Sequence, residues 1–265
     1  MKKIGAIILT TVLTAALATG CGNNKNNESN AAANAGNATA GTIKIGADLE
    51  LTGGQASFGD SALKGAKLAV KEINDAGGVL GKQLELIEAD NASKSEEATR
   101  AAQKLITTEK VVAIIGATTS TNTLGIVPVA QEKNIPLISS SATNPKVTVD
   151  ERSGKLNEWV FRASFIDPFQ GQVMANFATE TLKAKTAVIY TDTSSDYSKG
   201  LQKFFKDTFT KSGGTILSEE SYQQKDSDFK AVLTRIKEAK PDVIYLPGYY
   251  EEVGKILKQA REMGI

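Results

Sequence analysis

The chain has 265 residues, 41% of them hydrophobic, with 31 basic and 30 acidic side chains and a net charge of +1. That length suits one large globular domain or two ordinary ones, and the balanced charge excludes the basic surplus of a nucleic-acid binder. There is no histidine and a single cysteine, which removes imidazole catalysis, histidine metal sites, internal disulfides and thiolate zinc centres.

Met1, Lys2 and Lys3 give a basic start, and Ile4 to Ala18 form an apolar run shorter than the ~20 residues that cross a bilayer as a helix. This is a signal-peptide profile. Ala18, Thr19 and Gly20 precede Cys21, so the segment resembles a bacterial lipobox, in which the cysteine thiol takes up a diacylglycerol and becomes the mature N-terminus. Ala18 stands where lipoboxes prefer Leu, and Leu17 lies one place earlier. Residues 22–41 are rich in Asn, Ala, Gly, Ser and Thr, too polar to bury. They read as a tether with a root-mean-square span on the order of 25 Å. Residues 1–20 are therefore expected to be a lipoprotein leader and 21–41 a low-complexity tether, with the membrane reached through the Cys21 lipid.

From Thr42 onward, β-rich runs alternate with helical patterns. "TIKIGADL" precedes a helix with Leu63, Ala66, Val70 and Ile73 on one face; "KQLELIEAD" precedes one with Ala98, Ala101, Ala102 and Leu105. "VVAIIGAT" leads to a helix near Thr123 to Gln131, and "IPLISSSA" follows. After an irregular passage, "NPKVTVDERSGKLNE", the pattern resumes with "WVFRASFI", a helix from about Phe169 to Leu182, "TAVIYTDT", a helix from about Tyr197 to Thr210, and "TILSEESY". A helix with Phe229, Val232, Leu233 and Ile236, the strand "DVIYLPGY" and a helix with Val253, Ile256, Leu257 and Ala260 complete it. Such alternation predicts an α/β fold of two Rossmann-like lobes with parallel sheets, 42–162 and 163–265. Because "REMGI" ends where another strand is due, Gly264 is expected to cap the last helix and the second lobe to be incomplete.

In open α/β sheets, ligands sit beyond the carboxyl ends of the strands. Here those loops are "ELTGGQASFGD", "GATTSTNT", "SSSATNP", "TDTSSDYSKG" and "GYYEE". Hydroxyls and free N–H groups at a helix start suit a carboxylate, an arrangement that Thr119 to Thr121 offer. Phe58, Tyr197 and Tyr249 are placed to wall an apolar group. The same Ser and Thr residues are also ordinary helix caps, and the aromatics ordinary partial core. "GGVLGK" is not a phosphate loop, because its spacing is one residue short and Gln83 stands in place of Ser or Thr. Asp48 and Glu50 lack a partner acid and read as surface or hinge charges rather than a glycosidase pair. No base is spaced to activate Ser120 or Ser141, so no enzymatic activity is expected.

These loops, together with "FRASFIDPFQG" and the stretch from "DFKAVLTRIKEAKPDVIYLPGYYEE" to the end, resemble the type I periplasmic-binding proteins of the leucine, isoleucine and valine class, the lipoprotein receptors of branched-chain amino acid ABC importers. The resemblance spans Thr42 to the end of the chain. It implies lobes that close on a small amino acid in the cleft between them, with an ABC permease and its ATPase subunits as partners, no cofactor and no nucleic acid. It implies that Ser120 donates to the ligand carboxylate and that Ser141, Ala142 and Thr143 hold the carboxylate and ammonium. Phe58, Tyr197 and Tyr249 cover the ligand, and Asp167, in the segment ending Gln170-Gly171, touches it through water or serves the hinge. The acidic partner of the ammonium is expected beyond Ile265, so the chain as it stands is expected to bind weakly. Receptors for urea, short amides and aromatic acids, and extracellular sensors, share this resemblance.

Overall fold

In the computed structural model, which describes residues 41–265, Ile43–Leu49 form strand β1, flanked on both sides within a parallel five-stranded sheet of order β2-β1-β3-β4-β5. The expected leader, the Cys21 lipidation site and the tether up to residue 40 lie outside the described residues. Among the described residues no helix is long and apolar enough to cross a membrane.

The remaining strands of this sheet are β2 (Leu84–Asp90), β3 (Ala113–Gly116), β4 (Leu137–Ser139) and β5 (Val160–Arg162). Helices α1 (Ala56–Asp75), α2 (Ser95–Thr107) and α3 (Ser120–Lys133) link the first four in turn. The predicted α2 face is the one that packs: Ala98, Ala102 and Leu105 join Ile114, Ile126 and Leu137 in the core. On α1 the apolar face fades along the helix, with Leu63 and Ala66 buried but Ile73 exposed.

The irregular passage packs on this first lobe. Val147 is fully buried in its core. The Arg162 guanidinium donates to the carbonyls of Ala142 (3.0 Å), Asn144 (2.9 Å) and Pro145 (3.3 Å) and to Thr148 Oγ1 (2.6 Å). One side chain at the end of β5 thus satisfies carbonyls that no ladder reaches.

A second, three-stranded parallel sheet has the order β7-β6-β8, with β6 Thr186–Asp192, β7 Thr215–Tyr222 and β8 Val243–Tyr245. Its helices are α4 (Asp167–Asn176), α5 (Asp196–Lys211), α6 (Lys230–Ala239) and α7 (Tyr250–Glu262). The continuous apolar run of β6 follows from burial on both faces. Val188 and Tyr190 point into a core with Phe229, Leu233, Ile236 and Ile256, while Ala187 and Ile189 point into the opposite one with Ala175, Phe205 and Phe209.

Two boundaries differ from expectation. The helix expected from Phe169 to Leu182 starts at Asp167, with Pro168 in its first turn, and ends in a widened π turn over Phe177–Thr181. Strands β4, β5 and β8 each keep only three residues, and past β5 the Ala163 N–H still reaches Ser139 O of β4 at 3.0 Å. Gly264 takes the left-handed conformation (φ 73°), and Ile265 N–H reaches back to Ala260 O at 2.9 Å. This is the glycine-terminated helix end that the sequence predicted.

Candidate functional site

The loops that leave the carboxyl ends of β1, β3, β4, β6 and β8 converge from both lobes around a cavity of about 260 Å³. Of the residues expected there, Phe58, Ser120, Ser141 and Thr143 line it from the first lobe and Tyr197 and Tyr249 from the second. Thr118, Thr119, Phe165, Gln170 and Tyr250 line it as well. A larger groove, about 380 Å³, lies between Pro145 and Val149 on one side and Lys199 and Phe204 of α5 on the other. It contains none of the expected residues.

The polar end is organised by a residue read differently from sequence. Asp48 and Glu50 are not surface or hinge charges, since both are fully buried. Strand β1 lies between β2 and β3, and Glu50, one residue past its end, reaches the loop that leaves β3. The Glu50 carboxylate accepts from Thr118 N (3.0 Å) and Oγ1 (2.5 Å), Thr119 N (3.0 Å) and Oγ1 (2.7 Å), and Asn122 Nδ2 (3.0 Å). A buried carboxylate held this way is tolerated because every lone pair finds a donor.

Glu50 also changes which donors remain for a ligand at the start of α3. The Thr119 groups are taken by Glu50, and Thr121 Oγ1 bonds to Asp196. Ser120 Oγ accepts from Asn144 N at 3.2 Å, which leaves its proton to donate into the cavity. The Ser120 and Thr121 N–H groups belong to the first helical turn, where no intrahelical acceptor exists. Ser141 Oγ donates to Thr118 O at 2.8 Å and retains acceptor capacity. Ala142 does not line the cavity: its N–H donates to Ser139 Oγ at 3.0 Å and its carbonyl accepts from Arg162.

Beside Glu50, the Asp48 carboxyl accepts from Asn91 Nδ2 at 3.1 Å, while its other oxygen has no partner. Burial pushes this carboxyl up to about 8; the Asn91 hydrogen bond opposes the shift and the nearby Glu50 charge adds to it. Burial thus favours the protonated form of Asp48 at neutral pH.

The opposite end is aromatic and bridges both lobes. Tyr197 stacks on Tyr249 with centroids 5.3 Å apart. Phe58 meets Tyr249 edge-on at 5.9 Å and Tyr250 at 5.2 Å. Burial pushes the Tyr197 and Tyr249 phenols upward, so both rings are neutral over the physiological range. Gln170 Nε2 donates to Tyr197 OH at 2.9 Å and fixes that ring. The adjacent tyrosines of "GYYEE" both face the cavity, because Tyr249 is extended before α7 and Tyr250 opens the helix.

Asp167 lies behind this lining. It is fully buried, and neither carboxylate oxygen has a hydrogen-bond partner. Burial pushes its carboxyl up to about 6, against the pull of the Arg162 charge. Its N–H donates across the crossing to Thr143 O at 3.0 Å. Gly200 of α5 leaves it room: a Cβ there would stand 2.4 Å from Asp167 Oδ2. Among the described residues no group of three or more candidate ligand side chains could hold a metal ion.

Comparison with known proteins agrees with this geometry. A family model described as periplasmic binding protein matches residues 42–265. The leucine-, isoleucine-, valine-, threonine- and alanine-binding protein of Pseudomonas aeruginosa is 33% identical over 85% of this chain and 59% of its own length. The branched-chain amino acid transporter substrate-binding protein LivJ of Streptococcus pneumoniae, solved with isoleucine, is 43% identical with a TM-score of 0.77, over 84% of this chain and 62% of that one. A solute-binding protein of an ABC transporter from Rhodopseudomonas palustris, solved with 3,4-dihydroxybenzoic acid, is 31% identical with a TM-score of 0.72, over 84% and 59%. The chain thus spans about three-fifths of the length of these relatives. With two parallel sheets meeting at a cavity of hydroxyls and aromatic rings, and with this match from Thr42 to Ile265, the chain belongs to the periplasmic binding protein family.

Proposed function

We propose that this protein is the extracytoplasmic substrate-binding component of an ABC importer, anchored by a lipid on Cys21, and that it captures leucine, isoleucine or valine by lobe closure. The observation that carries the reading is the two-ended cavity of about 260 Å³, a little below the ~300–1,000 Å³ of pockets that enclose drug-sized ligands. Its polar end offers the Ser120 hydroxyl at the start of α3, where the helix dipole favours a carboxylate. Its aromatic end, Phe58, Tyr197, Tyr249 and Tyr250, suits a branched aliphatic side chain. Ser141 and Thr143, which line the cavity, would share the carboxylate and ammonium. Asp167, behind the lining, serves the hinge.

No bond is made or broken in this mechanism. The ligand contacts both lobes only when they are together, so its binding free energy favours the closed state by the difference in affinity between the two states. The permease and its ATPase subunits would then receive the closed, loaded form.

A second reading is an aromatic acid as ligand, favoured by the aromatic wall and by the dihydroxybenzoate-bound relative. A thermal-shift screen of the full chain against amino acids, short amides and aromatic acids decides between them, because a ligand that binds only the native state raises its melting temperature. Leucine, isoleucine or valine is expected to raise it. A response to amides or aromatic acids without one to these three would overturn the branched-chain assignment.

A further inference from the structure

The ligand is not the only thing that joins the lobes. The first residue of α5, Asp196, is bound to the first lobe at three points. Its N–H donates to Thr121 Oγ1 at 2.9 Å, its Oδ2 accepts from Thr121 Oγ1 at 3.2 Å, and its carbonyl accepts from Asn144 Nδ2 at 2.7 Å. Its Oδ1 lies 3.2 Å from Lys199 Nζ within α5. Neither Thr121 nor Asp196 lines the ligand cavity.

We propose that Thr121 and Asp196 form a closed-state latch that raises ligand affinity without touching the ligand. The inference rests on the binding-protein reading above.

Helices α3 and α5 meet here through their N-terminal turns, and two positive helix ends in proximity repel. The Asp196 carboxylate stands between them and neutralises both. The Thr121 hydroxyl meanwhile satisfies an N-terminal donor of α5, as a capping side chain does within one helix. The exchange is reciprocal and crosses the lobes. Thr121 follows the cavity-lining Ser120, and Asp196 precedes the cavity-lining Tyr197, so any separation that admits a ligand between Ser120 and Tyr197 pulls the pair apart. The bonds therefore exist only in the closed state. They increase the closed fraction of the empty protein and slow release of the ligand.

The test uses the full chain with Thr121→Val, Asp196→Ala and the double variant, and two readouts. One is the distance between spin labels at exposed Lys64 of α1 and Lys258 of α7 without ligand. The other is the rate of leucine release. Thr121→Val removes both hydroxyl bonds and is expected to lengthen the distance and speed release about tenfold; Asp196→Ala keeps the backbone N–H bond to Thr121 Oγ1 and should have a smaller effect, with the double variant no worse than Thr121→Val alone. Thr121→Ser keeps the hydroxyl and should restore wild-type behaviour, which separates a latch from general damage to the fold. Unchanged distances and release rates, additive penalties, or failure of Thr121→Ser to restore would overturn the latch. A protein that binds no branched-chain amino acid fails the functional proposal instead, and the distance measurement still decides the latch.

Discussion

Ser120 is where chain position, hydrogen bonding and function converge on one atom. Its neighbours Thr118 and Thr119 present hydroxyls and N–H groups of the same kind, yet Glu50 holds them all. Ser120 Oγ is used only as an acceptor, by Asn144 N. Its proton is therefore the donor available to a ligand carboxylate. A hydrogen bond to a charged group contributes about 1.5–3 kcal/mol, so Ser120→Ala should weaken leucine binding roughly 10- to 100-fold by calorimetry. The Asn144 N–H loses one acceptor, so the melting temperature of the empty protein should fall by no more than a few degrees. Loss of folding without loss of affinity in the folded fraction would show that Ser120 is a cap and nothing else.

At the scale of elements, the site depends on how closely α1 approaches the end of β1. Gly59 makes this approach possible: a Cβ there would stand 2.0 Å from Glu50 O and 2.9 Å from Glu50 N, backbone atoms that cannot rotate away. Gly59→Ala must push the first turn of α1 outward. That strains the backbone of Glu50, whose side chain organises the polar end, and carries Phe58 away from Tyr249. Overpacking of this kind costs about 1–3 kcal/mol, measurable by urea denaturation, and leucine affinity should fall with it. Wild-type affinity in a destabilised Gly59→Ala protein would mean that Phe58 does not contribute to the wall. The order of strands and helices was legible in sequence because periodicity reports which faces are covered, as in the alternation of Ala187, Val188, Ile189 and Tyr190 between two cores. Much of the cavity lining was legible too, since strand ends must converge in this architecture. The carboxylates of Asp48 and Glu50 were not, because their burial depends on donors 68 to 72 residues away for Glu50 and 43 for Asp48. Nor does a sequence tell which polar groups of "GATTSTNT" the protein itself already occupies.

Across the whole molecule, two buried acids in different places set a common pH dependence. Burial raises Asp48 in the first lobe from 3.8 to about 8 and Asp167 at the crossing from 3.8 to about 6. In each case the folded chain keeps a proton that the unfolded chain has released above about pH 4. Stability therefore falls as pH rises, between about 4 and 6 through Asp167 and between about 4 and 8 through Asp48. Hydrogen-bonded carboxylates such as Asp90, held by Thr52 and its neighbouring N–H groups, act in the opposite direction. Their contribution is lost only as pH drops below the ordinary carboxylate range. The two effects together place maximal stability in mildly acidic solution, with a decline toward pH 8. At about 1.4 kcal/mol per pH unit, the Asp48 shift sets an upper bound of order 6 kcal/mol on its part. Asp48→Asn keeps an oxygen for Asn91 and removes the proton that must leave, so it should flatten the decline and raise the melting temperature at pH 8 while changing little at pH 4. Melting curves recorded from pH 4 to 8 on both proteins measure the difference. Parallel curves would mean that Asp48 is relieved by a rearrangement around Asn91 and that Asp167 alone carries the dependence, in which case the decline should end near pH 6.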